Sequence, residues 1–192
     1  RIILSSRRKV IEYMIESSTN KTKKTILILR HGKSDWNADY GADHERPLAA
    51  RGRKASRRIG VFLESAGLIP DLVLTSTAVR ARETLRLASE ACGWTCAVKE
   101  TRELYLAGEQ KILEIIRRQP DSVSRLMLVG HNPTWENLVR HLIGGGVIRM
   151  PTAALAGIRM PVGRWKDIRT GAGVLEFLIT PKLLKNRSDR SG

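Results

Sequence analysis

Ten residues constrain this chain more than any others: Thr25-Ile26-Leu27-Ile28-Leu29-Arg30-His31-Gly32-Lys33-Ser34. The apolar run is too brief for an ordinary helix and rich in β-branched side chains, so it reads as a short buried β-strand. It stops abruptly at Arg-His-Gly, where the glycine permits a sharp turn. In open α/β sheets ligands gather beyond the carboxyl ends of the strands, so this strand delivers a guanidinium and an imidazole to the place where chemistry usually happens. The competing reading is a strand with an incidental surface histidine, and the rest of the chain has to decide between them.

Downstream the pattern alternates. Residues 35–47 are loop-like and close on Pro47; Ala55, Ile59, Phe62, Leu63 and Ala66 recur at helical spacing over 49–66, with Gly67 as a stop. Leu72–Thr75 reads as a second strand. Ala78, Ala81, Leu85, Ala88 and Cys92 then predict a helix over 77–92, with one small apolar face against a sheet. A third strand is expected at 95–98, a helix at 109–118 before Pro120, a strand at 126–129, and a helix at 133–143 broken by Gly144–Gly146. That triple glycine follows a helix instead of preceding one, so it is a breaker and not a phosphate-cradling loop. Further strands near 154–160 and 173–179 complete the expected fold, a three-layer α/β/α sandwich with a largely parallel central sheet.

The length of 192 residues suits one domain with a real core, and no apolar run approaches the ~18 residues of a membrane span. The net charge of +15 resembles a nucleic-acid signal until it is divided along the chain: +5 lies in residues 1–24, +3 in 182–192 and +7 in 25–181. The chain therefore divides into a basic N-terminal extension (1–24), a single domain (25–181) and a basic C-terminal tail (182–192), the two ends having the composition of solvated, flexible segments. The Ser/Arg-rich opening faintly resembles an organellar presequence, against which Glu12 and Glu16 stand. Cys92 and Cys96, four apart, would share one face of a helix and form neither a disulfide framework nor a metal set, which points to a reducing, cytoplasmic setting. The +7 of the domain favours an anionic substrate.

Two strands finish in a histidine beside a glycine, at His31 and at His131 in Gly130-His131-Asn132-Pro133, and the strand at 72–75 ends four residues before Arg80. Three strand ends therefore offer His, Arg and His to one edge of the sheet. The ordered set L-R-H-G-K-S (29–34), R-P-L (46–48), S-T-A-V-R-A-R-E-T (76–84), E-L-Y (103–105), V-G-H-N-P (129–133), M-P-T-A-A (150–154) and I-T-P (179–181) resembles the phosphoglycerate mutase-like histidine phosphatase superfamily, in its SixA-like phosphohistidine phosphatase branch. The resemblance covers roughly residues 25–181. It implies that His31 is the nucleophile, that Arg30, Arg80 and His131 bind the phosphoryl group, that Arg46 is a further phosphate-side arginine, and that Glu103 stands where the superfamily's mutases carry their proton donor. Asp43 and His44, in the preceding loop, are rival donors.

The chemistry suits those roles. A neutral imidazole attacks phosphorus and splits one difficult displacement into two. Guanidinium forks match the equatorial oxygens of a transferring phosphoryl group and stay ionised, doing what a metal does elsewhere, so neither metal nor cofactor is expected. Only 27 residues separate Glu103 from His131, consumed by one helix and one strand, where the mutases of the superfamily carry a large insertion. A mutase needs a cover to keep water from its phosphoenzyme. The expected activity is therefore that of a phosphatase acting on phosphohistidine in a protein. The alternatives are a small-molecule phosphomonoesterase and, from another class, a binding module for RNA or an acidic protein. No nucleic-acid motif supports the last, no membrane partner is expected, and a monomer is favoured. Trp36 and Trp135 are expected to serve packing.

Overall fold

The computed structural model describes residues 23–91 and 93–184. Most of the two predicted basic extensions, and Cys92, lie outside the described residues. The elements follow the order β1 (Lys24–Arg30), α1 (Ala50–Ser65), β2 (Leu72–Ser76), α2 (Val79–Glu90), β3 (Ala97–Thr101), α3 (Glu109–Arg117), β4 (Arg125–Gly130), α4 (Thr134–Ile143), β5 (Leu155–Met160) and β6 (Val174–Ile179). Short 3-10 turns occupy Asp43–Glu45, Arg102–Leu104 and Trp165–Asp167.

The strands form one sheet in the order β3-β2-β4-β1-β5-β6. The pairs β3–β2, β2–β4 and β4–β1 are parallel, whereas β5 runs antiparallel to both β1 and β6. The expected three-layer sandwich is present, and its sheet is mixed, with the single reversed strand on the side away from β2 and β3. Alternation along β1 explains the layers. Ile26 and Ile28 face a core built with α3 and α4, while Leu27 and Leu29 face one built with α1 and α2, and all four are fully buried. Buried on both faces, β1 shows no polar alternation in sequence, as a central parallel strand should not.

Two glycines let the elements close up around the end of β1. A Cβ on Gly52, in the first turn of α1, would lie 2.8 Å from the Lys33 nitrogen, so only glycine lets α1 start against the chain leaving β1. A Cβ on Gly130 would lie 2.8 Å from the Trp135 ring, whose Nε1 donates to the Leu29 carbonyl at 2.9 Å. Trp135 is thus the core residue expected. Trp36 is not: it is 63% exposed and stacks on Arg46, with the guanidinium carbon 3.4 Å from the ring centroid.

Two element predictions shift. The third strand begins at Ala97, not Thr95; it is the sheet edge with four of its five residues exposed, so no hydrophobic periodicity marks it. Helix α2 spans Val79–Glu90, shorter than the 77–92 expected, and Cys96, just before β3, is free and half-buried.

Candidate active site

Sheet register builds the site. Arg30 pairs with Gly130 across β1–β4, and Thr75 with Val129 across β4–β2, so the next residues, His31, His131 and Ser76, emerge at one level from three neighbouring parallel strands. The rings of His31 and His131 lie 5.1 Å apart. Arg80 comes from the first turn of α2, and Arg46 from the loop before α1; both are almost wholly buried.

His31 is held in one tautomer. Its Nδ1 lies 2.7 Å from the Gly32 carbonyl oxygen, an acceptor only, so Nδ1 carries the proton and Nε2 keeps its lone pair. Burial, and behind it the charges of Arg80, Arg30 and Arg46, push its pKa down to about 4, so the ring is neutral at physiological pH. The backbone around it is fixed on three sides. The His31 N–H donates to Gly130 at 2.9 Å, its carbonyl accepts from Ala153 at 3.0 Å, and the Gly32 N–H donates to Thr84 Oγ1 at 2.9 Å. Thr84 lies one turn after Arg80 and donates to the Arg80 carbonyl at 2.6 Å, tying the loop of His31 and Gly32 to the helix that carries the arginine.

His131 Nε2 lies 2.8 Å from Ser76 Oγ, which accepts the Ala78 N–H at 3.3 Å. The arrangement that satisfies all three groups has Ser76 donating to Nε2, which leaves the His131 proton on Nδ1. Burial, then the proximity of His31 and Arg80, lowers the His131 pKa to about 3, so it too is neutral. Arg30 Nη1 donates to the Met150 carbonyl at 2.7 Å, Asn132 donates to the same oxygen at 3.1 Å, and Glu136 accepts the Met150 N–H at 2.7 Å. The 150–154 segment therefore scaffolds both Arg30 and His31.

What these groups leave unused is informative. Arg30 Nε, Arg46 Nε and Nη1, Arg80 Nε and His131 Nδ1 are buried and have no hydrogen-bond partner among the described residues. Buried donors of this kind are costly unless something accepts from them. Five on the residues beside a neutral imidazole suit a tetrahedral oxyanion.

Glu103 does not join this cluster. It is exposed in the 3-10 turn after β3, with its carboxylate 3.3 Å from Lys111 Nζ. The carboxylate that does reach the arginines is Asp43. Its Oδ1 accepts from Arg46 at 2.7 Å, and its Oδ2 accepts from Arg80 at 2.9 Å and from the Tyr105 hydroxyl at 3.1 Å. Tyr105 stands edge-on to His131 at 5.5 Å and to His44 at 4.9 Å, and His44 is engaged with Thr77 at 2.9 Å. Ser76, Thr84 and Tyr105 join the site although no pattern in sequence marks them for it; each lies within one of the motifs at 76–84 and 103–105.

A neutral imidazole with a free Nε2 lone pair, beside three arginines at the carboxyl edge of this sheet, makes a site suited to binding a phosphoryl group. Residues 26–106 match the family model of the histidine phosphatase superfamily, branch 1. An uncharacterized protein of Mycobacterium tuberculosis is 34% identical over 164 residues, spanning 80% of this chain and all of that protein. An uncharacterized chloroplastic protein of Arabidopsis thaliana is 30% identical over 188 residues, 91% of this chain and 85% of that one. Among solved structures, the provisionally assigned phosphohistidine phosphatase SixA of Nakamurella multipartitia superposes with a TM-score of 0.70 at 27% identity, over 83% of this chain and 96% of that one. The chain belongs to the histidine phosphatase superfamily, as a SixA-like member with phosphatase chemistry.

Proposed function

We propose that this protein is a metal-independent phosphatase that removes the phosphoryl group from phosphohistidine on a protein, through a covalent intermediate on His31. The observation that carries the reading is the set of five unpartnered buried donors around the His31 imidazole. In the first step His31 Nε2 forms a bond to phosphorus as the bond to the leaving group breaks. In the second, water attacks phosphorus and the electron pair of the N–P bond returns to Nε2. Arg30, Arg46 and Arg80 supply the positive charge, and His131 Nδ1 a further donor, to the equatorial oxygens.

A protein substrate is supported by the rim. Trp36 is 63% exposed, Leu106 81% and Val147 89%, and they sit on the three loops that also carry Arg46, Tyr105 and Met150. Large apolar side chains around the mouth suit a surface that a folded partner covers better than one facing a sugar phosphate. The stretch from Tyr105 to β4 is taken up by α3 and its turns, which leaves the pocket open to a projecting side chain and to water.

A phosphate-release screen against phosphohistidine-bearing proteins, free phosphohistidine and common phosphate esters, with and without a chelator, tests the reading. His31→Ala is expected to abolish turnover and labelling by substrate phosphate. Label on another residue, turnover confined to one sugar phosphate, or activity restored by a divalent ion would each overturn the corresponding part. The cytoplasmic, monomeric state is part of the same reading; imaging of a fluorescent fusion distinguishes it from the plastid setting named for the Arabidopsis thaliana relative.

A further inference from the structure

Asp43 occupies a position that neither sequence spacing nor the phosphoryl-binding roles explain. It opens the 3-10 turn Asp43–Glu45, and its side chain is half exposed while both of its guanidinium partners are nearly buried. Its main-chain oxygen also accepts from Arg80 Nη1 at 2.6 Å, so Arg80 grips this residue twice. The carboxylate uses the Nη2 atoms of Arg46 and Arg80, and the atoms left without a partner are Arg46 Nε and Nη1 and Arg80 Nε. The two arginines can therefore hold Asp43 on one side and a phosphoryl group on the other.

We propose that Asp43 is the proton donor to the leaving group, armed by substrate binding itself: a phosphoryl dianion on the inner donors of Arg46 and Arg80 cancels the charge that keeps this carboxylate ionised. The proposal rests on the phosphatase reading. In the resting protein, partial burial raises the Asp43 pKa, but Arg80, the Tyr105 hydrogen bond and Arg46 outweigh it and hold the group below the ordinary carboxylate range. The groups facing it are Arg46 on its own loop, Arg80 from α2, Tyr105 from the turn after β3, and the His131 ring beyond. Placing two negative charges on the arginines reverses the balance, because the carboxylate then neighbours an anion and takes up a proton from solvent.

In-line displacement puts the leaving atom on the side of phosphorus away from the buried His31, toward solvent, and Asp43 is the half-exposed partner of two nearly buried arginines. As Nε2 bonds to phosphorus, the pair from the breaking bond goes to the leaving atom, and the Asp43 O–H proton follows it there. The carboxylate so formed then accepts a proton from the attacking water while the N–P bond breaks, and Asp43 ends the cycle protonated until phosphate leaves. Glu103, exposed and paired with Lys111, has no such contact with the arginines.

The test compares wild type with Asp43→Asn on three substrates and one inert oxyanion. Loss of the proton donor should cost on the order of 10²–10⁴-fold in kcat on an alkyl phosphate such as glycerol phosphate. p-Nitrophenyl phosphate, whose phenolate leaves unprotonated, should lose only a few-fold, and free phosphohistidine should lie between. Tungstate should bind the variant as tightly as wild type or more so, since a competing anion is gone. Calorimetry in buffers of different ionisation enthalpy should show fewer protons taken up with tungstate by Asp43→Asn than by wild type. A residue that merely positions Arg46 and Arg80 gives equal losses on all substrates, weaker tungstate binding and unchanged proton uptake, and that pattern refutes the proposal. Wild-type protein that neither turns over any of the three nor binds tungstate sinks the phosphatase reading instead.

Discussion

Acidification should destabilise this protein through its two site histidines, and the size of the effect follows from their burial. In the unfolded chain each imidazole titrates near ~6.5. In the folded protein His31 is lowered to about 4 and His131 to about 3. A folded-state pKa below the unfolded one means that between those values the unfolded chain binds more protons, so stability is fully present above about 6.5 and falls as pH drops towards 4. At pH ~5 the difference for a group shifted as His31 is amounts to about 2 kcal/mol relative to pH ~7.5. His131 adds a loss of similar order. Carboxylates titrate in the same window, so the measurement is a comparison: urea unfolding, followed by tryptophan fluorescence, of wild type and His31→Asn at several pH values. The variant lacks the His31 titration, and its stability should fall less on acidification by about 2 kcal/mol. Parallel pH profiles for the two proteins would refute the claim that His31 is held neutral by burial. The same cause keeps the His31 imidazole unprotonated in mild acid, so on the proposed mechanism kcat/KM should show no loss attributable to His31 near pH ~6.5, where an unperturbed histidine would be half protonated.

Two further outcomes follow from the site geometry. Arg80→Ala removes a buried guanidinium that touches Asp43 and presents an unpartnered Nε; it should cost ~100-fold or more in kcat/KM and weaken tungstate binding in parallel, and a loss below ten-fold in both would remove Arg80 from the phosphoryl site. Glu103→Gln breaks an exposed pair with Lys111, worth ~1 kcal/mol at most, so turnover of alkyl phosphate and phosphohistidine should both stay within a few-fold of wild type; a selective loss on alkyl phosphate would return the acid's role to Glu103.

Much of the site is legible in the sequence because its parts are local. A buried strand followed by Arg30-His31-Gly32, and another followed by Gly130-His131, announce themselves through an apolar run and a glycine, and parallel strands of one sheet bring their carboxyl ends to one edge. Arg80 follows from its place in the first turn of a helix whose small face is plain. What tertiary structure alone decides is where side chains on loops turn. Trp36 lies on a loop, and it becomes a lid on Arg46 because that guanidinium offers a planar partner. Glu103 and Asp43 are both carboxylates in short 3-10 turns, and nothing in their neighbours in sequence tells them apart. Asp43 is drawn in by Arg80, 37 residues on, and Tyr105, 62 residues on, while Glu103 is held outside by Lys111. The partner of His131, Ser76, lies 55 residues away, and that of the Gly32 amide, Thr84, 52. Periodicity and turn residues encode the path of the backbone over a few residues. The direction of a polar side chain in a loop is set by charges and hydrogen-bonding groups that the completed sheet and its helices bring beside it from far along the chain.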